Sequence, residues 1–284
     1  MPVLFISRGT MSGVQELVKK FHEQTGIRCI SREDLLNVVA KQHGDLALKV
    51  VTQISEATLA YDHFSNMRRP YIILMRQALL QELQKDNLLY HGFSGQLLVP
   101  RINHFVRVRI NATLDLRIPP TMKRLGLDKD NACKYIRDKD DQRVRWARYI
   151  YGRDIRDPLI YDFQFNLGHI SPKVLCGILQ NLMSEPELQA SIESQAQVKR
   201  LLETTNIEAA LICDERTRKF DIKAYYKQDS LHLVGPYLEE QDLTVVKEIV
   251  HENTDVEEID YTPGYISTID MDGWQQFTFP DSVL

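Results

Sequence analysis

The sequence predicts an α/β domain in three layers around a parallel sheet, followed by a small α+β module. Three observations carry this. Over residues 1–185, short apolar runs that end in glycine-bearing loops alternate with amphipathic helical stretches. The first run is continuous rather than alternating, as expected of a strand covered on both faces. Near residue 190 the pattern changes to a helix, a hairpin, a second helix and a closing strand.

Val3-Leu4-Phe5-Ile6 is the first strand and runs into Ser7-Arg8-Gly9-Thr10-Met11-Ser12-Gly13. Val14, Leu17, Val18 and Phe21 then recur at helical spacing, and Gly26 stands where a helix C-cap belongs. Ile27 to Ile30 is a second strand. Ser31, with Asp34 three residues on, can cap the next helix. Residues 33–85 read as two or three helices, with one break at Pro70. Asn87–Tyr90 is a strand entering the loop His91-Gly92-Phe93-Ser94-Gly95, and Phe105–Ile110 alternates as another. Residues 129–150 are helical with Ile136, Val144 and Ala147 on one face; 159–166 hold the last strand and 171–184 a helix. Beyond it, Gln195–Glu203 and Leu243–His251 are helices, Phe220–Tyr226 and Leu231–Val234 a hairpin turning at 227–230, and Val256–Tyr261 a closing strand. The expected organisation is a domain over 1–188, an α-β-β-α-β module over 192–262 and an acidic tail over 263–284.

Composition narrows the function classes. With 43% hydrophobic and 26% charged residues, the chain can bury a core and is not disordered. The net charge of −4 argues against a surface built for nucleic acid. Charge is unevenly placed, however. Residues 117–156 hold twelve Lys/Arg against six Asp, whereas 237–284 hold one Lys against twelve Asp/Glu. A basic centre suits a phosphate-bearing ligand, although a solvated, salt-bridged helix has the same composition. Cys29, Cys133, Cys176 and Cys213 form no CxxC, and the eight histidines form no HExxH. No protein-held metal site or disulfide framework is expected. The absence of an apolar run of about 18–20 residues or of a signal-peptide layout points to a cytoplasmic protein with no membrane role.

Four segments could carry chemistry. The strand–loop–helix at 3–24 can offer backbone N–H groups and a helix dipole to a phosphate. Gly9 and Gly13 permit close approach, and Ser7, Thr10 and Ser12 add hydroxyls. Yet Val14 stands where a phosphate-loop Lys would follow the second glycine, so a plain strand–turn–helix crossover stays open. Arg32, after the second strand, could grip a monophosphate bidentately or cover a helix surface. Gly92 and Gly95 could admit a ligand or merely turn the chain. Arg137, Asp141, Arg145 and Arg148 fall near one helical face with Asp140 and Arg143 beside it. Arg153, Asp154 and Asp157 follow in a loop. Phosphoryl transfer needs mainly positioning and positive charge, which such a segment can supply.

In this order the pieces resemble the cytidylate-kinase-like branch of the nucleoside monophosphate kinases. The matching words are Ile30-Ser31-Arg32-Glu33-Asp34-Leu35-Leu36, Asn87-Leu88-Leu89-Tyr90-His91-Gly92, Arg107-Val108-Arg109 and Leu116-Arg117-Ile118. Tyr135-Ile136 with Asp140, Arg143 and Trp146 come next, then Tyr151-Gly152, Asp157-Pro158, Tyr161-Asp162 and Asn166. The resemblance covers residues 1–185. It implies a P-loop kinase fold with a helical insert and an arginine-bearing lid. It also implies transfer of the ATP γ-phosphate, with Mg²⁺ bridging phosphates, to CMP or dCMP. Gly9, Thr10, Ser12 and Gly13 would hold ATP, Arg32 and Gly92 the acceptor monophosphate, and Arg143, Arg153 and Asp157 would serve the lid side. The departures at Val14 and Phe93 leave a second expectation, a nucleotide-binding sensor impaired in catalysis. The module at 192–262 resembles a BON domain through Leu231-His232-Leu233-Val234-Gly235 and Val256-Glu257-Glu258-Ile259. Such modules bind ligands or membranes. The acidic C-terminal segment disfavours an anionic membrane, leaving ligand sensing or homo-oligomerisation.

Overall fold

The computed structural model describes residues 2–56, 65–85, 87–168, 170–227, 230–256 and 258–264. The acidic segment beyond 264 and the turn residues Gln228 and Asp229 lie outside the described residues.

A parallel sheet of five strands, ordered β2-β3-β1-β4-β5, forms the centre of the first part. Its strands are β1 (Val3–Arg8), β2 (Arg28–Ser31), β3 (Leu88–Gly92), β4 (Phe105–Ala112) and β5 (Phe163–Leu167). β1 is central and pairs Ile6 with His91 on one side and with Val108 on the other. Its apolar run is explained by this position. Leu4 and Ile6 pack with Val106, Val108 and Ile110 into the core formed with Leu17, Val18 and Phe21 of α1 (Val14–Thr25) and Leu175 and Leu179 of α6 (Pro172–Ser184). Phe5 points to the opposite face and meets the rings of Tyr90 and Phe105 at 6.0 and 5.3 Å. The α/β class with a parallel central sheet expected from the sequence is the class observed.

Local signals hold where they rest on capping chemistry. Gly26 adopts φ 68° and its N–H reaches His22 O, closing α1. Ser31 and Asp34 cap α2 (Arg32–Glu56) reciprocally: Ser31 N–H donates to Asp34 Oδ2 at 2.7 Å and Asp34 N–H to Ser31 Oγ at 3.1 Å. Proline signals mislead. Pro70 lies inside α3 (Ser65–Leu83), where it forgoes a single bond in the helix's early turns. Pro119 and Pro120 lie inside α4 (Leu114–Leu125), a helix absent from the sequence expectation. Packing decides there, because Ile118 of α4 is buried with Ala132 and Ile136 of α5 (Lys129–Tyr151).

The chain forms two compact units that interleave in sequence. The first comprises residues 1–34 and 85–194 and holds the parallel sheet; the second joins Leu35–Gln84 to the described residues of 195–270. In the second, α7 (Ile192–Cys213) and α8 (Glu240–Asn253) pack on the sheet of β6 (Lys223–Lys227), β7 (Ser230–Gly235) and β8 (Ile259–Pro263). β6 and β7 are antiparallel, and β8 joins β7 in parallel. Residues of α2 and α3 are bonded into this module. Arg69 donates to Phe220 O and Ile222 O at 2.8 and 2.6 Å and pairs with Asp221 at 2.8 Å. Gln77 Oε1 lies 2.8 Å from His43 Nε2, and Gln77 Nε2 donates to Asn206 Oδ1 at 2.9 Å. The amide oxygen needs a donor, so His43 carries its proton on Nε2, and Nδ1 is free to accept from the Cys213 thiol 3.4 Å away. Glu208, 6% exposed, accepts from Ala224 N–H at 3.1 Å and faces Arg76 at 3.9 Å.

Two predictions follow from this packing. An added Cβ at Gly95 would lie 2.0 Å from the Tyr90 ring, whereas at Gly9 the nearest atoms are 3.8 Å away. Gly95→Ala is expected to cost about 1–3 kcal/mol in urea unfolding, and Gly9→Ala less than about 1 kcal/mol. Glu208→Ala strips a carboxylate from buried Arg76 and an acceptor from the Ala224 amide. Its expected cost is about 3 kcal/mol by the same measurement, with Glu208→Gln milder because the amide bond survives.

Candidate active site

Parallel pairing brings the carboxyl ends of all five strands to one edge, where ligands of such sheets bind. The loop after β1 stands there. Gly9 N–H extends the ladder to Ile110 O at 3.3 Å. Met11 and Gly13 then take left-handed φ values of 56° and 79°. Gly13 suits this conformation, whereas Met11 holds it at a cost of order 1 kcal/mol. α1 begins at Val14 with no side-chain cap, so its N-terminal amides face the loop region. Thr10 and Ser12 are each 5% exposed, and neither hydroxyl has a hydrogen-bond partner. Buried hydroxyls without partners are costly, and a bound anion would satisfy them.

Three residues close a circuit on this loop. Thr10 N–H donates to Asp140 Oδ1 at 3.0 Å, Arg117 Nε donates to Thr10 O at 2.8 Å, and Arg117 Nη2 pairs with Asp140 Oδ2. Asp140 comes from α5 and Arg117 from α4, so both helices are tied to the loop by charge. One helical turn on from Asp140, Arg143 donates to Arg8 O at 3.3 Å and lies 5.4 Å over the Phe93 ring. Arg32, the first residue of α2, lies 5.5 Å over the same ring and 5.4 Å over that of Trp146. Phe93 and Trp146 meet edge to face at 5.0 Å. Both guanidinium groups thus rest on the Phe93 ring. Burial, reinforced by the charge of Arg8, pushes Arg143 down to about 10, against the opposing carboxylates of Asp140 and Glu33.

Tyr161 fixes the floor. Its hydroxyl donates to Ile155 O at 2.8 Å and accepts from Arg109 at 2.9 Å and from Gln96 at 3.3 Å. Ser7 Oγ, 3.2 Å from that hydroxyl, donates to Phe93 O at 3.0 Å. The Phe93 backbone is thereby held against the end of β1. His91, at the end of β3, has burial as the main cause of a lowered pKa, with the charge of Arg8 adding to it.

The residues anticipated from sequence divide into groups. Thr10, Ser12, Arg32 and Arg143 surround the loop and the Phe93 ring. Gly92 pairs with Ser7 across the strands, and the space its missing side chain leaves is filled by Tyr90, whose hydroxyl would be 2.6 Å from an added Cβ. Arg153 lies just beyond Gly152, which closes α5. Asp157 spends its carboxylate on Leu159 N–H at 2.9 Å, capping a short 3-10 turn. Both belong to the segment anchored by Arg109 through Ile155 O at 2.6 Å. Arg117, Asp140 and Tyr161 occur in the matching words of the sequence without a role. Nothing local shows that Asp140 reaches a loop 130 residues away. Among the described residues no group of three or more His, Cys, Asp or Glu could hold a metal ion.

The comparisons with known proteins fit this geometry. A family model described as "Cytidylate kinase-like family" matches residues 3–169. The cytidylate kinase of Ignicoccus hospitalis is 23% identical over 187 residues, 64% of this chain and 99% of that protein. The cytidylate kinase of Pyrococcus horikoshii is 22% identical over 178 residues, 63% of this chain and 86% of that protein. Among solved structures, an uncharacterized protein from Eubacterium ventriosum is similar with a TM-score of 0.50 at 15% identity, covering 65% of this chain and 99% of that one. It shares the fold. The family match spans more than half of the sequence and contains the loop, the arginines and the Tyr161 network, so the chain belongs to the cytidylate kinase-like family.

Proposed function

We propose that the protein is a nucleoside monophosphate kinase that moves the γ-phosphate of ATP to CMP or dCMP. The observation that carries this is the convergence of Arg8, Arg32, Arg117 and Arg143 around a glycine loop whose Thr10 and Ser12 hydroxyls are buried without partners. Family membership and the two cytidylate kinase relatives support a nucleotide acceptor.

In this reading Gly9, Thr10, Ser12 and Gly13 hold the ATP phosphates. Arg32 and Gly92 lie at the acceptor monophosphate. Arg143 stabilises charge on the migrating group, and Arg153 approaches from the segment that Asp157 caps. An acceptor phosphate oxygen attacks the γ-phosphorus and ADP departs with the bridging oxygen. The acceptor is already anionic, so no general base is needed, and the protein's contribution is alignment and positive charge. The unpartnered hydroxyls fit a phosphate and its hydrated cation. Mg²⁺, when bound, would neutralise charge between the β- and γ-phosphates.

A second reading, a nucleotide-responsive sensor impaired in catalysis, is favoured by one observation. Val14 follows Gly13 where a Lys would be expected, and Thr10 N–H is already occupied by Asp140. In that case the BON-like resemblance of the C-terminal module suggests where a signal would be read out. Both readings suit a cytoplasmic protein. Among the described residues no helix is long and apolar enough to cross a membrane.

Coupled ADP release with ATP, Mg²⁺ and each of CMP, dCMP, UMP and AMP separates the two. The kinase reading expects turnover with CMP or dCMP above the ATP-only rate. Arg143→Ala is expected to lower kcat by about 10²-fold or more, and Arg153→Ala to lower it measurably. ATP binding without turnover on any acceptor would establish the sensor reading instead.

A further inference from the structure

Asp140 sits where an anion is wanted. A carboxylate oxygen and a phosphate oxygen ask for the same partners, a backbone N–H of a strand-to-helix loop and a guanidinium. Asp140 has both, from Thr10 N–H at 3.0 Å and from Arg117. Arg117 is in turn braced through Nε on Thr10 O at 2.8 Å, which sets its Nη2 toward the carboxylate. We infer that Asp140 is a resident anion in the phosphate cradle, an internal lock that a polyphosphate ligand displaces; this deepens the phosphate-loop assignment proposed above and rests on it.

Two observations make the carboxylate a placeholder rather than a permanent part of the loop. First, it satisfies the cradle incompletely. The hydroxyls of Thr10 and Ser12, each 5% exposed, keep no partner with Asp140 in position. A ligand with more oxygens than a carboxylate can engage what Asp140 leaves unmade. Second, its side chain is 35% exposed, whereas that of Arg117 is 12% exposed. The anion is therefore the member of the pair that solvent reaches, and Arg117 remains to receive the incoming phosphate.

The lock also couples loop occupancy to α5. Asp140 and Arg143 are three residues apart and share one face of the helix. Asp140 holds α5 to the loop through Thr10 while Arg143 is bonded to Arg8 O. Displacing the carboxylate frees α5 at one point and leaves Arg143 beside the new anion. Polyphosphate binding and the seating of the catalytic arginine become one event, and the unliganded site is protected from weak anions such as inorganic phosphate.

The test compares the unaltered chain with Asp140→Asn, Asp140→Ala and Asp141→Asn. The last removes a neighbouring, exposed charge of the same helix and controls for net charge. Calorimetric affinity for ATP and for inorganic tripolyphosphate is measured beside the rise in Tm on adding inorganic phosphate. If Asp140 occupies the cradle in about nine-tenths or more of the unliganded molecules, the Asp140 variants bind tripolyphosphate about tenfold or more tightly. They also gain more in Tm from inorganic phosphate, and Asp141→Asn does neither. Asp140→Asn keeps the shape of the side chain and serves where the alanine variant fails to fold. Equal or weaker binding by Asp140→Asn overturns the lock, as does an equal gain in Asp141→Asn. Tighter tripolyphosphate binding without CMP or dCMP turnover would leave the lock standing and remove the kinase reading. Turnover without tighter binding would remove the lock alone. No binding of either polyphosphate to any variant would remove both.

Discussion

The architecture depends on the double-sided parallel pairing of β1. With β3 on one side and β4 on the other, both edges of the strand are paired, and its faces are closed by α1 and α6 on one side and by aromatic rings on the other. The strand can then tolerate only apolar residues until it emerges at Ser7. From that point each residue serves the loop. Ser7 binds the Phe93 carbonyl, Arg8 offers its carbonyl to Arg143, and Gly9 bonds the carbonyl of Ile110. Parallel strands must be crossed by helices, so the elements that follow each strand end at the same edge. The site is a consequence of that rule.

Electrostatics at this edge runs against stability. Arg143 is half-buried, feels the charges of Arg8 and Arg117, and is pushed down to about 10. Thr10 and Ser12 bury hydroxyls that nothing satisfies, and Met11 holds a backbone conformation better suited to glycine. Backbone strain and orphaned polar atoms gathered in one place cost folding stability, the pattern that the proposed phosphate site would account for. Phe93 carries the guanidinium groups of Arg32 and Arg143 over its ring, and Trp146 that of Arg32.

The second unit solves a different problem. α2 and α3 are joined to the module formed by α7, β6, β7, α8 and β8 through polar groups of low exposure. The chain Cys213–His43–Gln77–Asn206 and the pair Arg76–Glu208 each commit a side chain from 35–84 to one from beyond 195. Such groups are expensive to desolvate and lose most when only one partner is present. The helical insert and the C-terminal module therefore have reason to fold together, although more than a hundred residues separate them in sequence.

Sequence alone determined the elements whose signals are local: β1 from its continuous apolar run, α1 from its spacing and Gly26, and the start of α2 from the Ser31–Asp34 capping box. These signals act within a few residues, and here the tertiary context agrees with them. Tertiary structure overruled local propensity at Pro70, Pro119 and Pro120, where packing of the helices outweighed lost backbone bonds. It alone brought Asp140 and Arg117 to the loop at Thr10, explained Gly92 and Gly95 by the Tyr90 ring, and joined residues 35–84 to the C-terminal module. Charge pairing and steric exclusion act through space, and residue spacing along the chain carries no record of which distant segment will be the neighbour.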